Sequence, residues 1–254
     1  ISDSPRRTLI LCPDDAEARK TASFISSLDR ECAFYPARDY NFNNILASHE
    51  FEHERLSVLY RMMKNDSFTV VSTPAAAFQL TMPPEKLAVR TIRLDRNSPI
   101  DTDELAIRLN GAGYRRCDMV ESCGQFALRG GIVDIYAPSM HPVRIELFGD
   151  EVDRMGYFSL ESQRFTGEKT DSIEIPPTLE VILGDEERRS LRESVTRQIS
   201  RVKGSAAEQT LRAELDALEN SQDVNFADKY LPLIFSEGCC LTDYADEIIV
   251  VSDG

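Results

Sequence analysis

All 12 glycines of this 254-residue chain lie at or after Gly111, so the first 110 residues contain none. A loop that cradles phosphate needs backbone that turns through φ > 0 and approaches the ligand closely, which only glycine permits at low cost. Neither a G-x-x-x-x-G-K-[ST] nor a G-x-G-x-x-G loop can therefore exist in that stretch. Arg19-Lys20-Thr21 echoes the end of such a loop, but it lies in an alanine-rich helical pattern and reads as a solvated helix face.

The glycine-free part alternates strand and helix patterns. Thr8 to Cys12 is a strand-like apolar run ending at Pro13-Asp14-Asp15, a helix-start signal, and Ala16 to Leu28 follows at helical spacing with Phe24, Ile25 and Leu28 as core candidates. Ala33 to Pro36 reads as a short strand, Phe51 to Met63 as a helix with Leu56, Leu59, Tyr60 and Met63 inward, Phe68 to Ser72 as a buried strand and Ala75 to Leu80 as a short helix. Such alternation without hairpin signals predicts a parallel α/β layer over residues 1–94.

From Asp101 the texture changes. A short helix over Asp103 to Leu109 precedes three strand-like runs, Gln125 to Leu128, Ile132 to Tyr136 and Val143 to Phe148, separated by Gly130-Gly131 and by Ala137 to Pro142. This predicts a β-rich domain over residues 95–176. Residues 177–254 return to the α/β texture. Val181 to Leu183 reads as a strand, Glu186 to Leu218 as a charge-laced helical stretch broken near Gly204, and Ile248 to Val251 as a buried strand.

Charge and cysteine usage narrow the function classes. With 29 basic and 43 acidic side chains the net charge is −14, which argues against a chain-wide grip on a nucleic-acid backbone. Residues 149–187 hold eleven acids and three bases, whereas 111–148 hold four of each, so the arginines of the strand region stand out locally. The arginines at 188, 192, 197, 201 and 212 lie among glutamates and read as a solvated helix face. The apolar runs are strand-sized and far short of the ~20 residues that span a bilayer. Six cysteines without a C-x-x-C pair read as reduced intracellular thiols, consistent with a cytoplasmic protein. The start at Ile1, with no initiator methionine, reads as a piece of something longer.

His49-Glu50-Phe51-Glu52-His53 matches the zinc-hydrolase pattern H-E-x-x-H. A catalytic zinc needs a third protein ligand, and the extended pattern would require Gly at 56 and His at 59, where leucines stand. The run is read as a helix N-terminus whose acids suit the dipole, and no metal site is expected. There is no G-x-S-x-G elbow, and three histidines offer little material for a nucleophilic triad.

Residues Gly124 to Pro138, GQFALRGGIVDIYAP, followed by Pro142 to Asp153, PVRIELFGDEVD, resemble the N-terminal module shared by the nucleotide excision repair protein UvrB and bacterial transcription-repair coupling factors. Asn44 to Tyr60, Gly113-Tyr114-Arg115 and Phe158 with Ser162-Gln163-Arg164 extend the similarity over essentially the whole chain. UvrB keeps a glycine-rich ATP loop and an aromatic-rich hairpin after its first strands. Here Tyr35-Pro36 passes quickly to Asn41-Phe42-Asn43-Asn44, and Tyr230 to Glu237 ends in Phe-Ser-Glu, both closer to the coupling factor.

The resemblance implies a degenerate RecA-like α/β domain in two parts, of the P-loop NTPase type, with an inserted β-rich UvrA-binding domain. It implies no catalysis and no cofactor in this segment, ATP and Mg belonging to the motor of the parent protein. The partners implied are UvrA through this segment, RNA polymerase and DNA through other domains of the parent, and a C-terminal domain that masks the UvrA site, with no membrane. The competing reading is a UvrB-like ATP-dependent subunit that processes damaged DNA.

Carried over by position, the UvrA contacts fall on Arg129, Arg144 and Phe148. Strand alternation from Arg144 places Glu146 and Phe148 on its face, an arginine–aromatic grouping typical of interface hot spots. Both arginines are expected to offer their forks to a partner, with folding nearly unaffected by their loss. The alternative is that Phe148 is core and that both arginines pair with Glu146 or Asp134.

Overall fold

A computed structural model describes residues 6–28, 30–38, 50–65, 67–220, 227–235 and 238–251. A parallel four-stranded sheet has the order β12-β1-β3-β2, built from β1 (Arg7–Leu11), β2 (Cys32–Phe34), β3 (Phe68–Ser72) and β12 (Glu247–Val250). Helix α1 (Asp15–Ser26) is capped by Asp14, whose carboxylate accepts from the Glu17 amide, and packs Ala18 and Ala22 on one sheet face with Cys12 and Val71. Helix α2 (Glu50–Lys64) buries Leu56, Val58, Leu59 and Met62 in the larger core of the layer, with Leu9, Leu11, Phe68 and Val70. Two short helices, α3 (Pro74–Ala77) and α4 (Pro84–Arg90), follow β3.

The chain leaves this layer through β4 (Ile92–Asp95) and returns through β11 (Ser172–Ile175), which pair antiparallel. Between them lie α5 (Thr102–Gly111), β5 (Arg115–Arg116), β6 (Gln125–Arg129), β7 (Ile132–Tyr136), β8 (Val143–Phe148), β9 (Glu151–Phe158) and β10 (Phe165–Lys169). The last six form a single sheet in the order β10-β9-β8-β7-β6-β5, antiparallel from β6 to β10. One face carries Phe126, Val133, Ile135, Val143, Ile145 and Met155 and packs on Leu105, Ala106 and Leu109 of α5 and on the apolar residues of β4 and β11. Beyond β11, α6 (Asp185–Arg201) and α7 (Ala206–Asn220) form a helical hairpin with its own small core of Leu191, Val195, Ile199 and Leu218. The one-turn helix α8 (Leu231–Ile234) adds Leu231 and Ile234 to the core of the parallel layer.

Three sequence expectations need correction. Phe24 and Leu28 are not core: they are 63% and 56% exposed, because α1 meets the sheet through the small side chains Ala18 and Ala22, one turn apart. Ile248 to Val251 is not buried: β12 is the edge strand and all four side chains are exposed. Val181 to Leu183 forms no strand, although Val181 is buried in the core of the parallel layer.

The segment that returns from β11 to the parallel layer is held there by one buried carboxylate. Glu180, fully buried, pairs with Arg55 of α2 at 2.5 Å and with Arg38 at 2.6 Å, and accepts the Thr81 hydroxyl at 2.6 Å. Arg55 lies over the Tyr35 ring and donates to the Pro36 carbonyl at 2.8 Å. Nearby, Glu174 of β11 accepts the Tyr60 hydroxyl at 2.8 Å and pairs with Lys64 at 2.5 Å, contacts that hold its carboxyl below the usual range. Gly113, at φ +90°, shows how close the packing is: a Cβ there would stand 2.6 Å from Leu179 and Thr178.

Candidate protein-docking surface

The opposite face of the six-stranded sheet carries the arginines. Period-2 alternation puts Arg129 of β6, Ile132 and Asp134 of β7, Arg144, Glu146 and Phe148 of β8, and Arg154 and Phe158 of β9 on it. The β6–β7 hairpin turns through Gly130, at φ +60°, and Gly131, where a Cβ would stand 2.6 Å from the Leu147 carbonyl oxygen. That closeness lets the Leu147 amide donate to the Gly131 carbonyl at 2.7 Å, which ties the hairpin turn to β8. In β9 a one-residue bulge at Asp153 shifts the pairing from Glu146–Arg154 to Leu147–Val152.

The three residues singled out from the sequence share this face but not one environment. Phe148 is 83% exposed at the end of β8. Arg129 is half-exposed and donates one N–H to Asp134. Arg144 is buried and engages each of its three guanidinium nitrogens inside the protein: Nε and Nη2 on the two Asp134 oxygens at 2.6 and 2.8 Å, and Nη1 on the Gln163 carbonyl at 2.8 Å. Its guanidinium also lies 4.7 Å from the centre of the Phe158 ring.

Asp134 is itself fully buried beneath the two arginines, and its hydrogen bond holds Arg144 still more firmly protonated than usual. The geometry thus divides the alternatives left by the sequence: both arginines pair with Asp134, while Phe148 stays out of the core. The expectation that Arg144 offers its fork outward and is dispensable for folding is corrected, because a buried guanidinium with all three nitrogens bonded inside the protein is part of the framework. Gln163, in the left-handed region at φ +56°, supplies the carbonyl that completes that framework. Sequence reasoning missed Arg154, which hydrogen-bonds both oxygens of Glu146 at 2.9 and 3.1 Å and stacks 3.7 Å over Phe165.

The zinc-hydrolase pattern is described only in part. His49 lies outside the described residues, and the His53 ring faces the Gly124 backbone so closely that a Cβ there would stand 2.8 Å away. Among the described residues no group of three or more His, Cys, Asp or Glu could hold a metal ion. No helix among them is long and apolar enough to cross a membrane. The run Asn41 to Asn44 and the residues Ser236-Glu237 also lie outside the described residues.

Residues 92–180, from the start of β4 to Glu180, match the family model of the UvrB interaction domain. The matched segment takes in the six-stranded sheet and its covering helix, which are thus similar to that family. The chain as a whole is similar to transcription-repair-coupling factors: 32% identical over 93% of its length to that of Bacillus subtilis (strain 168), 29% over 78% to that of Myxococcus xanthus and 33% over 68% to that of Mycobacterium bovis. It spans only 21%, 17% and 14% of those relatives, about a fifth of their length or less.

Proposed function

We propose that the chain is a non-catalytic module of a transcription-repair coupling factor, and that it binds UvrA through the arginine-bearing face of its six-stranded sheet. In this reading it recruits nucleotide excision repair to RNA polymerase stalled at DNA damage in the cytoplasm. The parallel layer is then a degenerate RecA-like domain split in two by the inserted β-rich domain. ATP-driven translocation, polymerase contact and DNA contact belong to other parts of the parent protein, whose C-terminal domain masks the UvrA site until it is needed.

The observation that carries this reading is Phe148. A phenylalanine 83% exposed on the same sheet face as a half-exposed arginine anchored by a buried carboxylate has the composition of a protein-docking hot spot, inside the segment similar to the UvrB interaction domain. Arg129 and Phe148 are the contacts, and Arg144 holds Arg129 in place through Asp134. Removing either contact side chain weakens UvrA binding by about 2 kcal/mol, roughly 30-fold in Kd. Stability changes by less than about 1 kcal/mol for Arg129→Ala, since that ion pair is partly solvated. Surface plasmon resonance of UvrA on the wild-type, Arg129→Ala and Phe148→Ala proteins checks both statements; unchanged affinity in two folded variants would remove the proposed site.

A further inference from the structure

Arg154 reproduces, three strands away, the features that single out Arg129. It lies on the same face, it is exposed to the same 41%, and it is held from behind by a carboxylate. Glu146 accepts two of its five N–H groups, the Phe165 ring supports its plane at 3.7 Å, and three N–H groups remain for another molecule. An arginine fixed in this way has already lost its rotamer freedom, so docking onto it costs little further ordering.

The strand register sets the spacing. Arg129 pairs with Ile132, Ile132 with Glu146 and Glu146 with Arg154, a single row across β6, β7, β8 and β9. Three strand steps separate the backbones of the two arginines by about 14 Å. Phe148 lies two residues beyond Glu146 on the strand between them, so the three exposed side chains form a triangle with its apolar corner set off the arginine row. On its far side Arg154 borders an open recess of about 500 Å³, lined also by Arg96, Glu146, Asp153, Met155 and Lys169, with room for an incoming side chain.

We infer that Arg154 is a third contact of the docking surface, and that the partner presents two carboxylates about one four-strand width apart, flanking an apolar pocket for Phe148. This deepens the reading given above and rests on it. The continuity of the row with Arg129 favours one partner over two separate sites. The anchoring carboxylates Asp134 and Glu146 are tied up by the protein's own arginines, so they present little free negative charge to an acidic partner.

The test is binding of UvrA by surface plasmon resonance to Arg154→Ala and Arg154→Lys proteins, beside Arg129→Ala and Phe148→Ala, with folding followed by far-UV circular dichroism. Lysine keeps the aliphatic stem over Phe165, so it guards against loss of the β10 packing. Arg154→Ala weakens binding about tenfold and Arg154→Lys about threefold, and the salt dependence of log Kd flattens in the alanine variant. Affinity within twofold of wild type for both Arg154 variants, while Arg129→Ala and Phe148→Ala lose theirs, overturns the third contact alone. Failure of the wild-type protein to bind UvrA, or full binding by Arg129→Ala and Phe148→Ala, overturns the underlying reading, and this inference falls with it.

Discussion

Glu180→Ala lowers the stability of the protein by about 3–5 kcal/mol, because it strands two arginines that share one buried carboxylate. Arg55 is 1% and Arg38 9% exposed, so neither can turn to water without opening the core under α2. Burial alone would raise the Glu180 carboxyl, but Arg38 and Arg55 with the hydrogen bonds of Arg55 and Thr81 bring it down to about 2. The folded value therefore lies below the unfolded one. Its contribution, about 3 kcal/mol, is complete above roughly pH 5 and is lost as pH falls toward 2. The gap between wild type and Glu180→Gln thus narrows over that window. Urea unfolding followed by far-UV circular dichroism, the suitable probe for a chain without tryptophan, measures both effects. Equal midpoints at pH 7 would show that Glu180 does not hold the returning segment.

The glycine-free alternation of the first 90 residues made the parallel layer legible, since buried parallel strands are short apolar runs and their crossover helices carry a different period. β3 and the paired runs of β7 and β8 were readable to the residue for the same reason. β9 was not. The bulge at Asp153 puts Asp153 and Arg154 where one residue should be, so the alternation Glu151-Val152-Asp153-Arg154 breaks at the point where Arg154 joins the docking face. β10 and β11 were hidden by brevity and charge: Phe165–Lys169 contains one glycine and two charges, and Ser172–Ile175 is recognisable only through its pairing with β4.

The docking face was legible in its residue types but not in their roles. Nothing local distinguishes Arg129 from Arg144, because both alternate outward on the two strands that flank β7. What separates them is position in the sheet. Arg129 lies at the hairpin end beside the open Gly130-Gly131 turn, while Arg144, the second residue of β8, sits opposite Asp134 in the middle of β7, roofed by Phe158 and the 159–164 turn. The buried triad was equally silent, since Arg38, Arg55 and Glu180 come from segments far apart in the chain and each alone reads as surface charge.

Asp134→Ala destabilises the six-stranded sheet by about 3–5 kcal/mol and Arg144→Ala by about 3 kcal/mol, larger effects than any change at Arg129 or Phe148. The carboxylate is fully buried and meets three arginine N–H groups, so alanine leaves Arg144 nine-tenths buried with the Gln163 carbonyl as its remaining hydrogen-bond acceptor, the Phe158 ring and the more distant charge of Glu146. Arg144→Ala is somewhat milder because Asp134 keeps Arg129, which can follow it toward solvent. The two positions also act as a unit. In Asp134→Ala, the further loss of Arg144 costs much less than it does alone, whereas independent contributions would add. Hydrogen exchange resolves where the damage falls: protection drops in β6, β7 and β8, while β1 and β3 of the parallel layer keep theirs. An Arg144→Ala protein as stable as wild type that nevertheless fails to bind UvrA would make Arg144 a direct contact after all, and would require its guanidinium to leave Asp134 when the partner docks.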